Sequence, residues 1–147
     1  MGTGQSQSQK SSVESIMSQS ATMLTKVSLS EKFSLFQDHF SPKIAGELND
    51  SYVKLVKLQG EFVWHHHDHE DEMFLVVKGC LFMGLQDAGG AEREIAIHPG
   101  EFIIIPKGME HKPRADEETH IVLLEPKTTL NTGNVRDERT VEQLARI

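Results

Sequence analysis

Between Ser51 and Pro126 the chain is cut into short apolar runs by turn residues, and no other feature constrains its fold so tightly. Tyr52 to Leu58, Glu72 to Lys78, Cys80 to Gln86, Glu92 to Ile97, Phe102 to Ile105 and Thr119 to Glu125 are rich in β-branched and large side chains. Gly60, Gly79, the hairpin signal Asp87-Ala88-Gly89-Gly90, Pro99-Gly100 and the Pro106-Lys107-Gly108 turn separate them. With no helical period between the runs, the pattern predicts an all-β barrel or sandwich. In the Glu72 run, Phe74 and Val76 share the face of Glu72 while Met73, Leu75 and Val77 take the other. Both faces are apolar and both need a cover. One should line the interior and the other should lie under the N-terminal segment or a second subunit, which predicts a homodimer.

The ends of the chain read differently. Residues 1–25 are dominated by Ser, Gln, Thr and Gly and are expected to form a disordered leader before a domain over 26–147. The leader has no apolar run long enough for a signal peptide or a membrane span. Met1-Gly2-Thr3-Gly4-Gln5-Ser6 fits the N-myristoylation pattern, which matters only in a eukaryote. Ser28-Leu29-Ser30-Glu31 has capping-box spacing and predicts a single helical turn, and Ile44 to Glu47 a brief edge strand. In the tail, residues 127–147, the same spacing at Thr140-Val141-Glu142-Gln143 predicts a short C-terminal helix against the barrel. The 15 Lys and Arg against 22 Asp and Glu give a net charge of -7, which argues against a nucleic-acid partner. Cys80, the single cysteine, cannot form an internal disulfide, so the chain reads as cytoplasmic, with Cys80 a small buried hydrophobe.

The stretch His65-His66-His67-Asp68-His69-Glu70-Asp71-Glu72 carries the chemistry. Residues two apart on an extended chain point the same way, so His65 and His67 form a chelating pair. Glu72, after an acidic turn and at the head of the next strand, can bring a carboxylate back to face them. His67 with His69 is a competing pair, but it leaves only two residues before Glu72, tight for a turn. A solvated, charge-rich loop is the simpler alternative. Against it stands Gly100-Glu101-Phe102-Ile103-Ile104-Ile105-Pro106-Lys107-Gly108-Met109-Glu110-His111, an apolar strand and a turn that lead to a third imidazole.

These two stretches resemble the two motifs of the cupin family. His65-x-His67, four residues, Glu72, six residues, Gly79 matches the first, and Gly100, five residues, Pro106-x-Gly108, two residues, His111 matches the second. Gly60 stands one residue nearer to His65 than in the family pattern, and Ala115 replaces the usual Asn. The resemblance covers residues 51–126 and implies an antiparallel jelly-roll barrel. It also implies that His65, His67, Glu72 and His111 hold one divalent transition metal, whether Fe, Mn, Ni, Cu or Zn.

Such a site keeps open positions, unlike a closed structural zinc site, and this chain has no cysteine pair for the latter. Two readings follow: a small metal-dependent oxygenase, isomerase or lyase acting on a small, largely uncharged molecule, or a metal- or small-molecule-binding module without turnover. The sequence reveals no general acid or base beyond the ligands; His69, the nearest candidate, reads more simply as exposed. His120 reads as a packed or rim histidine, and His39, His66 and His98 as surface. Lys112 and Arg114 alternate away from the ligand side, so no interior cation is expected, and the pocket is expected to be lined by Phe74, Val76 and Ile103 or Ile105.

Overall fold

The computed structural model describes residues 24–147, so the predicted leader and its lipidation pattern lie outside the described residues apart from Leu24 and Thr25. One short helix, α1 (Leu29–Phe33), precedes seven strands: β1 (Lys43–Leu48), β2 (Ser51–Glu61), β3 (Glu72–Lys78), β4 (Leu81–Gln86), β5 (Glu92–Ile97), β6 (Phe102–Ile105) and β7 (Glu110–Pro126). None of these elements is a helix long and apolar enough to cross a membrane. Ser28 caps α1, its hydroxyl accepting from the Glu31 N–H at 3.4 Å as the capping-box spacing predicts.

All strand pairs are antiparallel, and β7 organises them. Along one edge it pairs with β2. Along the other it meets β3 between His120 and Leu124 and β4 between Glu110 and Arg114. The strand order is β1-β2-β7-β3-β6, with the β4–β5 hairpin attached to the first half of β7. One strand thus spans both motif-bearing parts of the sheet. Asp116-Glu117-Glu118 lies within β7, where the pairing with β2 shifts between Leu58 and Gly60.

The sheet wraps one apolar cluster that includes Val56, Leu58, Phe74, Leu81, Ile97, Ile105 and Ile121. Among the described residues its strand pairing does not close into a ring, because β5 and β6 each pair on one side only. Where the motifs imply a jelly-roll barrel, the described strands form an antiparallel sheet that is not closed. On the outer face a second cluster places Phe33 and Phe36 over Leu55 and Val122, with Leu75 and Ile147 packed at its margin. The N-terminal segment is therefore a cover for the outward side of β3, one of the two that the alternation allowed.

The predicted C-terminal helix is absent. Residues 140–147 run without helix, and Arg146 bridges Ile44 of β1 in parallel. The groups that would cap a helix are engaged elsewhere: the Thr140 hydroxyl meets that of Thr132 at 2.8 Å and accepts from the Asp137 N–H, while the Val141 N–H donates to Asn131. The Ile44 N–H donates to the Ala145 carbonyl and the Ile147 N–H to the Ile44 carbonyl, at 2.8 and 3.0 Å. A segment this short gains little from helix nucleation, so the open edge of β1 takes it.

Candidate metal centre

The ligand-rich loop is held from two sides. The His65 N–H donates to the His111 carbonyl and the His111 N–H to the His65 carbonyl, a two-way bridge that sets the two residues side by side. The Gly108 N–H donates to the His67 carbonyl at 2.7 Å and the Lys107 N–H to the Asp71 carboxylate at 2.8 Å, tying the acidic loop to the Pro106–Gly108 turn. The tail closes over the outside. The Asn134 N–H and side-chain oxygen pair with the carbonyl and N–H of His66, and a Cβ on Gly133 (φ +55°) would fall 2.2 Å from the His66 carbonyl oxygen. Only glycine allows that approach.

His65, His67, Glu72 and His111 are all buried, and one ligand atom from each lies within 4.8 Å of the others. The His65 and His111 Nδ1 atoms sit 2.9 Å from the carbonyls of Val63 and Met109, acceptors only, so each ring donates there and turns Nε2 into the cluster. His67 Nε2 lies 2.6 Å and His111 Nε2 3.1 Å from the two Glu72 oxygens. The His67 nitrogen is fully buried without a properly oriented hydrogen-bond partner, as suits an atom aimed at a shared central point. Burial, reinforced by His111, pushes the His65 imidazole down to about 4, so it is neutral near pH 7 and able to act as a ligand. Burial alone would raise Glu72, but its close contacts with His111 and His67 outweigh it and hold the carboxyl below its usual range.

The other histidines lie outside this cluster. His69 is exposed in the acidic turn, so the competing pair with His67 does not form. His120 stacks on Phe33 at 4.6 Å on the outer face and contacts Glu118. His39 and His98 pair with surface glutamates, and half-buried His66 with Glu110 and Asp68.

A cleft of about 430 Å3, including its open mouth, leads to the cluster. Phe74 lines it as expected, but Val76 and Ile105 are packed in the core, and Phe40, Phe62 and Leu123 take the places assigned to them. Glu125 also lines the cleft, and sequence reasoning missed it. Its Oε1 accepts from Lys54 Nζ at 2.7 Å, with both side chains 2% exposed. Lys54 shares the inward parity of Val56 and Leu58, which corrects the expectation of no interior cation. One step beyond the Met73–Leu124 pair, the β3–β7 register brings Glu72 alongside Glu125. Burial, then the Glu72 carboxylate, pushes Glu125 well above the usual carboxylate range against the pull of Lys54. The available signal was parity: Lys54 and Glu125 alternate with core residues on their strands.

Comparison with known proteins gives consistent results. Residues 52–126 match the family model described as a cupin domain. A cupin-2 domain containing protein from Shewanella frigidimarina is 44% identical, with a TM-score of 0.65 over 73% of this chain and 98% of that one. An acireductone dioxygenase from Phaeosphaeria nodorum is 29% identical over 70% of this chain, which spans 59% of that enzyme's length. The hydroquinone 1,2-dioxygenase of a Sphingomonas species shares the fold at 17% identity, with a TM-score of 0.63 over 71% of this chain and 32% of that one.

Proposed function

Because the chain belongs to the cupin family, we propose that it is a divalent-metal-dependent enzyme of the oxygenase type acting on a small molecule, with His65, His67, Glu72 and His111 as ligands to one transition metal ion per chain. The observation that carries this reading is the convergence of four buried ligand atoms within 4.8 Å, including an orphaned His67 nitrogen, at the end of an aromatic cleft. Likeness to an acireductone dioxygenase favours oxygen chemistry over isomerisation or lyase chemistry.

A bound ion would supply Lewis acidity and, as iron, one-electron chemistry with dioxygen. The protein's own share is orientation and exclusion. The Val63 and Met109 carbonyls fix the ring orientation of His65 and His111, while Glu72 offers one negative charge among three imidazoles. Phe40 and Phe62, stacked at 5.0 Å, and Phe74 shield the cleft from water and suit the apolar body of a small substrate.

Elemental analysis of the full chain should find about one transition metal per protomer. His67→Ala and His111→Ala should lose it, and His69→Ala should keep it. Because ligand imidazoles must be neutral, occupancy should fall below about pH 6. Full metal in either of the first two variants would refute the ligand set. The Fe(II) form should consume dioxygen with the right substrate, and Glu72→Gln should slow it. If every metal form stays silent across a broad panel while a metabolite still raises the melting temperature, the protein is a binding module instead.

The expected homodimer also stands as a proposal, now with a defined surface. Phe102 and Ile104 are 60% and 56% exposed on β6, whose outer edge has no strand partner among the described residues, beside Met73 and Leu75 of β3. Light scattering that reports a monomer at micromolar concentration would refute it.

A further inference from the structure

The tail brings one cation to the aromatic side of the cleft. Arg139 is exposed, and its guanidinium carbon lies 5.8 Å from the centre of the Phe40 ring and 5.9 Å from that of Phe62, the stacked pair that lines the cleft. Its backbone is anchored there. Asn131, also in the cleft wall, donates from its side-chain amide to the Arg139 carbonyl at 2.7 Å and accepts from the Val141 N–H at 2.9 Å. The Arg139 N–H donates to the Asp137 carboxylate at 2.8 Å, which occupies the nearest acid in sequence.

The guanidinium itself is unspent. Arg114, Arg136 and Arg146 each meet a carboxylate, whereas among the described residues the side chain of Arg139 touches only the two rings. Ring contact at an exposed site is worth about 0.5–1 kcal/mol and leaves the N–H donors open to a ligand. Charge at the deep end favours the same kind of ligand, because a divalent ion would exceed the single charge of Glu72 among three imidazoles. A molecule that fills this cleft therefore meets positive charge at both ends and phenylalanine rings between them. The planar fork of Arg139 matches the two oxygens of a carboxylate. A phosphate would also fit the fork, but it brings a second charge against apolar walls. We propose that Arg139 is a substrate-recognition residue of this site, pairing with the carboxylate of a small acid whose apolar body lies against Phe40, Phe62 and Phe74. This rests on the metal-site reading above, and narrows the substrate class to apolar carboxylic acids.

The test uses the full chain loaded with Zn(II), which is redox-inactive and diamagnetic, and two probes of similar shape that differ in charge: benzoate and benzamide. Zinc content is measured first, then each Kd by NMR titration. Wild type should bind benzoate roughly tenfold more tightly than benzamide, as for hydrogen bonds between charged groups. Arg139→Gln should keep its zinc and bind the two about equally, with the benzamide Kd moving within about twofold, a change too small to signal a lost hydrogen bond. Arg139→Lys, which keeps the charge but not the fork, should fall between. A benzoate preference retained in Arg139→Gln would send the carboxylate to the metal instead and overturn the inference. Equal weakening of both probes in that variant, or loss of its zinc, would make Arg139 a structural clamp on the rings, also against the inference. Wild type that takes up zinc but binds the probes equally, or binds neither at millimolar concentration, would overturn it and leave the metal reading intact. Wild type that takes up no zinc would overturn the metal reading, and this one with it.

Discussion

Lys54 and Lys57 stand three residues apart on β2, are 1% and 4% exposed, and do opposite things. Lys54 points inward, to a carboxylate at the wall of the candidate site. Lys57 points outward, where its ammonium donates to the Phe36 carbonyl at 2.7 Å and lies 5.0 Å from the Phe36 ring. An odd spacing on a strand puts the two on opposite faces. The outer lysine ties down the segment that covers the sheet; the inner one meets Glu125 beside Glu72. Burial of a charged residue therefore does not by itself mark a functional site. The face does, together with what the charge meets there.

The sharpest way to break this comparison is to remove each ammonium. Lys54→Met should cost the most, about 4 kcal/mol, because Glu125 loses its compensating charge. That penalty should depend on pH. A carboxyl whose folded pKa is raised binds its proton more tightly folded than unfolded, so the variant regains stability as pH falls. Urea melts at pH 7 and pH 5 should show the gap from wild type shrinking at the lower value.

Phe33→Ala tests the outer cover. Loss of a buried ring that packs with Phe36, Leu55 and Val122 should cost about 3 kcal/mol in urea melts. Zinc affinity should stay within about twofold, since the effect lies on the far face of the sheet and distant sites act nearly independently. A large change in zinc affinity would show that the two faces are coupled.

The inner face should also impose its own pH dependence. His65 is held neutral, its pKa lowered from 6.5 to about 4, so the unfolded chain binds the proton more readily between those values. Metal-free protein should lose about 2 kcal/mol as pH falls from about 6.5 toward 4, and a stabilising ion should steepen the loss. His65→Phe would flatten the profile if this assignment is right. The smallest effect belongs to Lys57→Met, about 1 kcal/mol, from the Phe36 carbonyl left without its donor. Zinc binding should be unaffected.

The residues that meet in the cluster were legible from sequence because they rest on local geometry. Alternation sets His65 and His67 to one side, a turn returns Glu72, and the Pro106–Gly108 turn leads straight into His111. The strands were legible for the same reason, since period two and turn chemistry act over a few residues. What was misread depends on distant partners. Thr140 to Gln143 carries a helix-start pattern, but the edge of β1 nearly a hundred positions earlier offers backbone bonds that a short helix cannot match.

Composition and spacing thus determined an all-β chain, and the resemblance of its two motifs to the cupin pattern singled out the three imidazoles and the carboxylate that meet. Only the tertiary structure decided that the sheet stays open, that α1 rather than a second subunit covers Leu55 and Val122, and that Lys54 and Glu125 come together beside Glu72. Lys54 and Glu125 are 71 positions apart, and neither has a local reason to be buried. The antiparallel register of β2 with β7 pairs Lys54 with Leu123 and Tyr52 with Glu125, and so sets the two charges diagonally on one inward face. A charge is tolerated in an interior only where its counter-charge is delivered to it, and that delivery is a property of register, which no single stretch of sequence contains.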